Sequence, residues 1–248
     1  MRFRAIVAVG LSAAALLTVS ACRVEQGAAL FVADERISEQ RVDEVVNSIP
    51  EKTRKDMANY AQLSGGAMPN ISIGALRGFV IDALATTAIG KRIQEETDRE
   101  PDKSAADVAE ANWASVGVKP GTEFVELAAE AAEYRPLLLT GAENQKPTKD
   151  EIDDLTEQFV LLGGQSPSKA ERKQLRANVS ELLNNDKPQE IVKGEPVVGQ
   201  ELVGKWRQVD KYIEKYEVSA NPRYGESFIV FQSFESTPLI AFTTNLSD

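Results

Sequence analysis

Along most of this chain apolar residues return every three or four positions, the spacing of one helical face. Only near the two ends do they run in short continuous stretches. Gly27 to Val32 reads as a short strand, Ala33-Asp34-Glu35 as a turn and Arg36-Ile37 as the returning strand. Ser38 is placed to cap a following helix, with Ile37 and Val42 at hydrophobic-staple spacing. Val42, Val45, Val46 and Ile49 supply its apolar face and Pro50 ends it. A second helix is predicted over Glu51–Leu63 and a long one from Ser72 to Thr97, with a face of Ile73, Leu76, Val80, Leu84, Thr87 and Ile93. Phe79 lies off that face.

Ser104-Ala105-Ala106-Asp107 reads as the start of a short helix marked by Val108, Ala111 and Val116. Phe124, Leu127, Ala128, Ala131 and Leu138 mark the next. Thr148 to Glu151 is a capping box, continued by Ile152, Leu155, Phe159 and Leu162. Ser166-Pro167 reads as another start, with Leu175, Val179 and Leu182 as its face. Prolines and glycines make 184–200 a loop with extended pieces at Ile191-Val192 and Val197-Val198. Leu202, Trp206, Val209, Ile213 and Tyr216 give the plainest helical face in the chain. Val218-Ser219-Ala220, Phe228–Phe231 and Leu239–Thr243 are strand-like, and Asn221-Pro222 makes a turn. The fold class that follows is mainly α, a helical module with a small β element formed by the N- and C-terminal strands. The strand at Leu30-Phe31-Val32 is expected beside Val218-Ser219-Ala220.

The first residues have a different character. Arg2 and Arg4 precede a short apolar run from Ala5 to Leu17, and small residues lead into Cys22, the single cysteine. This is the form of a secretion signal, and the run is short for a membrane span. Val19-Ser20-Ala21-Cys22 resembles the lipobox of bacterial lipoproteins. The resemblance implies a signal peptide over 1–21, lipidation of Cys22, a tether over 22–26 and a location on the outer face of the cytoplasmic membrane. Several acyl chains would anchor such a protein stably. Loss of Arg2 and Arg4 would move the formal charge from −10 to −12.

Composition narrows the chemistry. The chain has no histidine, which removes Ser-His and Cys-His nucleophile systems and the commonest zinc sites. A lone cysteine has no disulfide partner within the chain. With 38 acidic residues against 28 basic ones and no long basic patch, nucleic acid is not an expected partner. No nucleotide-binding or EF-hand motif occurs, and no cofactor or metal is expected. The acidic pairs Glu95-Glu96, Asp150-Glu151 and Asp153-Asp154 read as solvated helix faces rather than as calcium sites or paired catalytic carboxylates.

Two segments carry a resemblance. Ala28 to Ser38 looks like the strand–turn–return that opens the SurA N-terminal-like domain. Asn221-Pro222-Arg223-Tyr224-Gly225 looks like the turn that follows the last helix in actinobacterial lipoproteins of that family, and here it reads as a structural turn motif. The resemblance spans most of 27–248 and implies an extracytoplasmic chaperone module of the SurA and PrsA type. Many members carry a parvulin prolyl-isomerase domain before the last helix. In this chain that slot, 144–200, reads as two capped helices and a loop, too short for a parvulin fold. Parvulin sites usually use a histidine pair, which this chain lacks.

The implied function is a membrane-anchored holdase for unfolded or newly exported proteins, without enzymatic activity. The candidate client-binding residues are Leu76, Phe79, Val80 and Leu84 on the long helix, together with Trp113. Trp206, whose helical neighbours are apolar, reads as a core anchor. Two other classes stay open: an accessory lipoprotein that stabilises one cell-envelope partner, and a carboxylate-based hydrolase or degenerate isomerase.

Overall fold

The computed structural model describes residues 27–63, 73–162, 167–192, 195–221, 227–231 and 242–245. Cys22, Pro222, Arg223, Tyr224 and Gly225 lie outside these residues. In chain order the elements are β1 (Ala28–Val32), β2 (Glu35–Ser38), α1 (Glu39–Ser48), α2 (Glu51–Leu63), α3 (Ile73–Thr97), α4 (Lys103–Ser115), α5 (Glu123–Leu139), α6 (Lys149–Leu162) and α7 (Lys169–Asn184). They continue with β3 (Gln189–Val192), β4 (Glu195–Val197), α8 (Gly199–Lys215), β5 (Ser219–Ala220), β6 (Ser227–Phe231) and β7 (Phe242–Asn245).

The two ends of the main body meet in one antiparallel sheet of order β2-β1-β5. Leu30 lies opposite Ala220 and Phe31 opposite Ser219, the pairing the sequence leads one to expect. The Asn221 backbone N–H donates to the Ala29 carbonyl at 2.9 Å, and its side-chain amide donates to the Ala28 carbonyl and to Glu39 Oε1, both at 3.1 Å. Asn221 therefore fixes the closing strand. The hairpins β3–β4 and β6–β7 are separate two-stranded sheets.

α1 forms for the reasons its sequence gives. Ser38 Oγ accepts from the Arg41 backbone N–H at 3.1 Å, and Val42, Val45, Val46 and Ile49 are all buried. The long α3 crosses the core, packed along α5, with α1 and β1 also against it. Its face holds at Leu76, Val80, Thr87 and Ile93 but not at Ile73, which is 54% exposed.

Two further helices, α4 and α7, depart from the expected boundaries or faces. α4 starts one residue before Ser104, at Lys103: Asp102 is its cap, accepting from the Ser104 backbone N–H at 3.0 Å. Its inward residue is Trp113, whereas Val108 is 61% exposed and Ala111 also faces outward. α7 begins after Ser168, not at Ser166-Pro167, because Ser168 and Glu171 form a reciprocal capping box. Its buried face is Val179 with Leu183, while Leu175 and Leu182 are only partly covered.

The segment 144–200 contains α6, α7 and the β3–β4 hairpin. α6 packs on α7, and α7 on α8. Arg207 of α8 binds this segment with most of its donors. It forks onto Glu151 at 2.7 and 2.8 Å, reaches the Lys146 carbonyl at 3.0 Å and donates to Gln145. Glu151 is at the same time the returning half of the Thr148 capping box. Burial would raise the Glu151 carboxyl, but the Arg207 guanidinium and the Thr148 donors outweigh it and hold it below its ordinary value of 4.5. A carboxyl depressed in the folded state adds stability that is present above 4.5 and lost as pH falls below it. Glu151→Gln is accordingly expected to cost about 1–2 kcal/mol near neutral pH. The gap from the parent should narrow as the solution is acidified below 4.5, as read by urea titrations across pH. A constant gap at every pH would contradict this role.

Candidate groove between helices four, five and eight

α4 and α5 pack closely, and both are built largely from alanine where they face each other's open side. Ala105 and Ala109 of α4, with Ala128, Ala131 and Ala132 of α5, line a groove of about 930 Å³. Side chains this short leave volume that larger ones would fill. The segment after α5 and the first turns of α8 form the remaining wall, through Ala142, Asn144, Glu201 and Lys205.

One end of the groove is aromatic. Phe79 and Trp113 line it, and Phe124 supports them from the core. The ring centroids are 4.9 Å apart for Phe79–Trp113, 5.3 Å for Phe79–Phe124 and 4.7 Å for Trp113–Phe124. Both pairs that include Trp113 are edge-to-face, the arrangement favoured by the ring quadrupoles.

Pro136 shapes the floor. It lies inside α5 and has no N–H to give the Ala132 carbonyl, four residues back. The next carbonyl, that of Glu133, accepts instead from the Asp102 backbone N–H at 2.9 Å. The proline thus coincides with the point where the cap of α4 is pinned to α5. The Asp102 carboxyl is held below its usual range, first by the Ser104 hydroxyl and then by the Ser104 backbone N–H.

Two cations face the groove, and each has an internal partner. Arg135 binds Asp82 at 2.6 Å, and Asp82 is 3% exposed within α3. Lys205 binds Glu201 one helical turn away at 2.6 Å. No family model, no curated protein and no solved structure matches this chain.

The structure brings Phe79 and Trp113 together at this groove. It places Leu76 and Val80, at 1% and 0% exposure, in the core instead, where they present no surface to a ligand. Leu84 is half-buried against the same core and is not part of the groove wall. Trp206 is buried, as its neighbours suggest. Ala128 and Ala131 were read only as part of a helical face and Ala105 only as part of a helix start; Ala109, Ala132, Pro136, Arg135 and Lys205 were not singled out by the sequence patterns, and Pro136 inside a helical run was the one available signal.

One member of each acidic pair is engaged in an ion pair, with a different cation in each case. Glu96 binds Lys215, Glu151 binds Arg207 and Asp153 binds Arg176. Among the described residues no group of three or more carboxylates is arranged to hold a metal ion.

Proposed function

We propose that this chain is a membrane-anchored, extracytoplasmic holdase of the SurA-like type, tethered through Cys22 and binding unfolded exported proteins without isomerising them. The observation that carries this reading is the groove: an open, mostly apolar trough with two aromatic rings at one end and small side chains along its floor. A trough of that kind takes apolar side chains from an extended chain without demanding one sequence. Binding to such a client is weak, because ordering the client opposes it. The closing of β1 by β5 and the compact pair of helices in 144–200 fit a chaperone module with no parvulin insert.

The test uses the protein lacking the lipid, starting after Cys22. It should slow aggregation of a chemically unfolded client at near-stoichiometric ratio and leave the rate of prolyl isomerisation in a model peptide unchanged. Robust isomerase turnover would overturn the reading. Failure to hold any unfolded client, with capture of one folded envelope protein, would replace it by the accessory-lipoprotein alternative.

A further inference from the structure

We infer that α4 is a hinged wall of the groove, swinging outward at its Asp102 end about a fixed point at Trp113. The inference concerns the fold and holds whatever occupies the groove. Burial along α4 is confined to one place. Trp113 is its only buried residue, whereas α5 beside it buries eight. Ala105, Ala106 and Ala109 are only partly covered, and Val108, the one other large apolar residue of α4, is 61% exposed. Side chains this short bury little apolar area, so little is lost when the two helices part. The charged residues of α4, Lys103, Asp107 and Glu110, form no ion pair among the described residues. The Ser104 hydroxyl turns back to Asp102 at 2.6 Å and that of Ser115 to the Asn112 carbonyl at 2.7 Å, so neither ties α4 to another helix.

The two ends of the helix are held differently. At the C-terminal end the Trp113 ring packs edge-to-face on both Phe79 and Phe124. Val118, just beyond the helix, is 1% exposed, and its N–H donates to the Trp113 carbonyl at 3.0 Å. At the N-terminal end the main tie is a single backbone hydrogen bond, from the Asp102 N–H to the Glu133 carbonyl at 2.9 Å. The connection from α3 passes through Asp98, Arg99 and Glu100, all exposed. Arg99 reaches the Thr140 carbonyl at 3.4 Å, a long and exposed contact that adds little. A helix packed at one end and hydrogen-bonded at the other opens as a lever about its packed end. The groove then widens most beside Ala105 and least beside Trp113, which admits bulkier side chains over the alanine floor.

Amide hydrogen exchange on the protein starting after Cys22, with no client present, tests this. Amides from Asp107 to Asn112 should exchange about a hundredfold faster than those from Ala128 to Glu133 in α5, with little dependence on urea, the mark of a local opening. Asp102→Pro removes both the side-chain cap and the N–H that reaches Glu133, whereas Asp102→Ala removes the cap alone. Exchange in α4 should be about fivefold faster in the proline variant than in the alanine one, with α5 alike in the two. Trp113 emission should be the same in both, because its end of the helix stays in place. Equal protection of α4 and α5 in the parent protein overturns the inference, as does exchange in α4 that rises with urea as steeply as global unfolding. A rise in α5 as large as that in α4 on Asp102→Pro means that the helices open together, and a red shift of Trp113 emission means that the whole of α4 detaches; either result removes the hinge. The aggregation assay of the holdase reading needs a client and this experiment does not, so each can fail while the other stands.

Discussion

Gly204→Ala is expected to destabilise the protein by about 3 kcal/mol, at the upper end of what overpacking usually costs. A Cβ built on Gly204 would lie 1.9 Å from the carbonyl oxygen of Glu143. That oxygen belongs to backbone, so no side-chain rotation relieves the clash. In an exposed helix the same change would gain about 1 kcal/mol from better helix propensity. Here the steric term wins, because α8 and the segment that follows α5 must move apart by more than a methyl contact tolerates. Gly199, where a Cβ would lie 1.8 Å from the Leu182 carbonyl oxygen, makes the equivalent approach to α7. Moving the segment around Glu143 also moves Ala142 and Asn144, so peptide binding should weaken in parallel with stability. Gly141→Ala is the comparison. Its Cβ would meet open space, and only the left-handed φ of 87° is strained, at about 1–2 kcal/mol. Urea titration gives both values, and a Gly204→Ala protein as stable as the parent would refute the close contact.

Phe124→Ala should have the largest effect of all, about 3–5 kcal/mol. Phe124 is 0% exposed, and its ring contacts both Phe79 and Trp113. Its backbone N–H also donates to Ser48 Oγ at 3.0 Å, which joins the start of α5 to the end of α1. Alanine keeps that backbone bond and removes the ring, so the loss reports packing alone. Trp113 would then lose one of its two ring partners, and its emission should shift to the red. Phe124→Leu, which retains most of the apolar volume, should recover more than half of the stability. A loss below about 1 kcal/mol for the alanine variant would mean the cavity collapses freely and the aromatic end of the groove is not rigid.

How far the sequence led depends on contrast between apolar and polar positions. α1 and α8 carry large apolar residues against charged ones, so the Ser38 cap of α1, both apolar faces and even the burial of Trp206 were legible. The closing of β1 by β5 followed from one strand-like segment before the first helix and another directly after the last. α4 was different. Alanines at 105, 106, 109, 111 and 114 lie on every side of that helix, so periodicity could not select a face. Val108 was taken as inward although it is exposed, and Trp113 alone carries the burial. The groove was hard to see for the same reason: its floor is made of residues whose smallness matters only once two helices are brought together. Phe79 and Trp113 stood out as aromatics away from the expected faces. Leu76 and Val80 were correctly placed on the main face of α3, and that position is what buries them. The contacts at Gly199 and Gly204 join backbone to backbone across long sequence separations, which no local pattern records. The start of α7 was placed at Ser166-Pro167, although Glu171 follows Ser168 at capping-box spacing and Ser168 is the cap that forms.

The pairing of β1 with β5 also sets the order in which this molecule can be completed. Leu30 waits for Ala220, and the middle strand of the sheet has its second neighbour only when nearly the whole chain is present. The β1–β2 hairpin is by itself too small to be stable in water. During synthesis, helices such as α3 and α5 find each other over short separations, while the sheet that seals the body forms last. Contacts this distant in sequence slow folding, since the intervening chain must be ordered or looped before they reward it. A chain interrupted before residue 219 would retain most of its helices and lack its seal, so the integrity of the N-terminal strand serves as a check on the arrival of the C-terminal one.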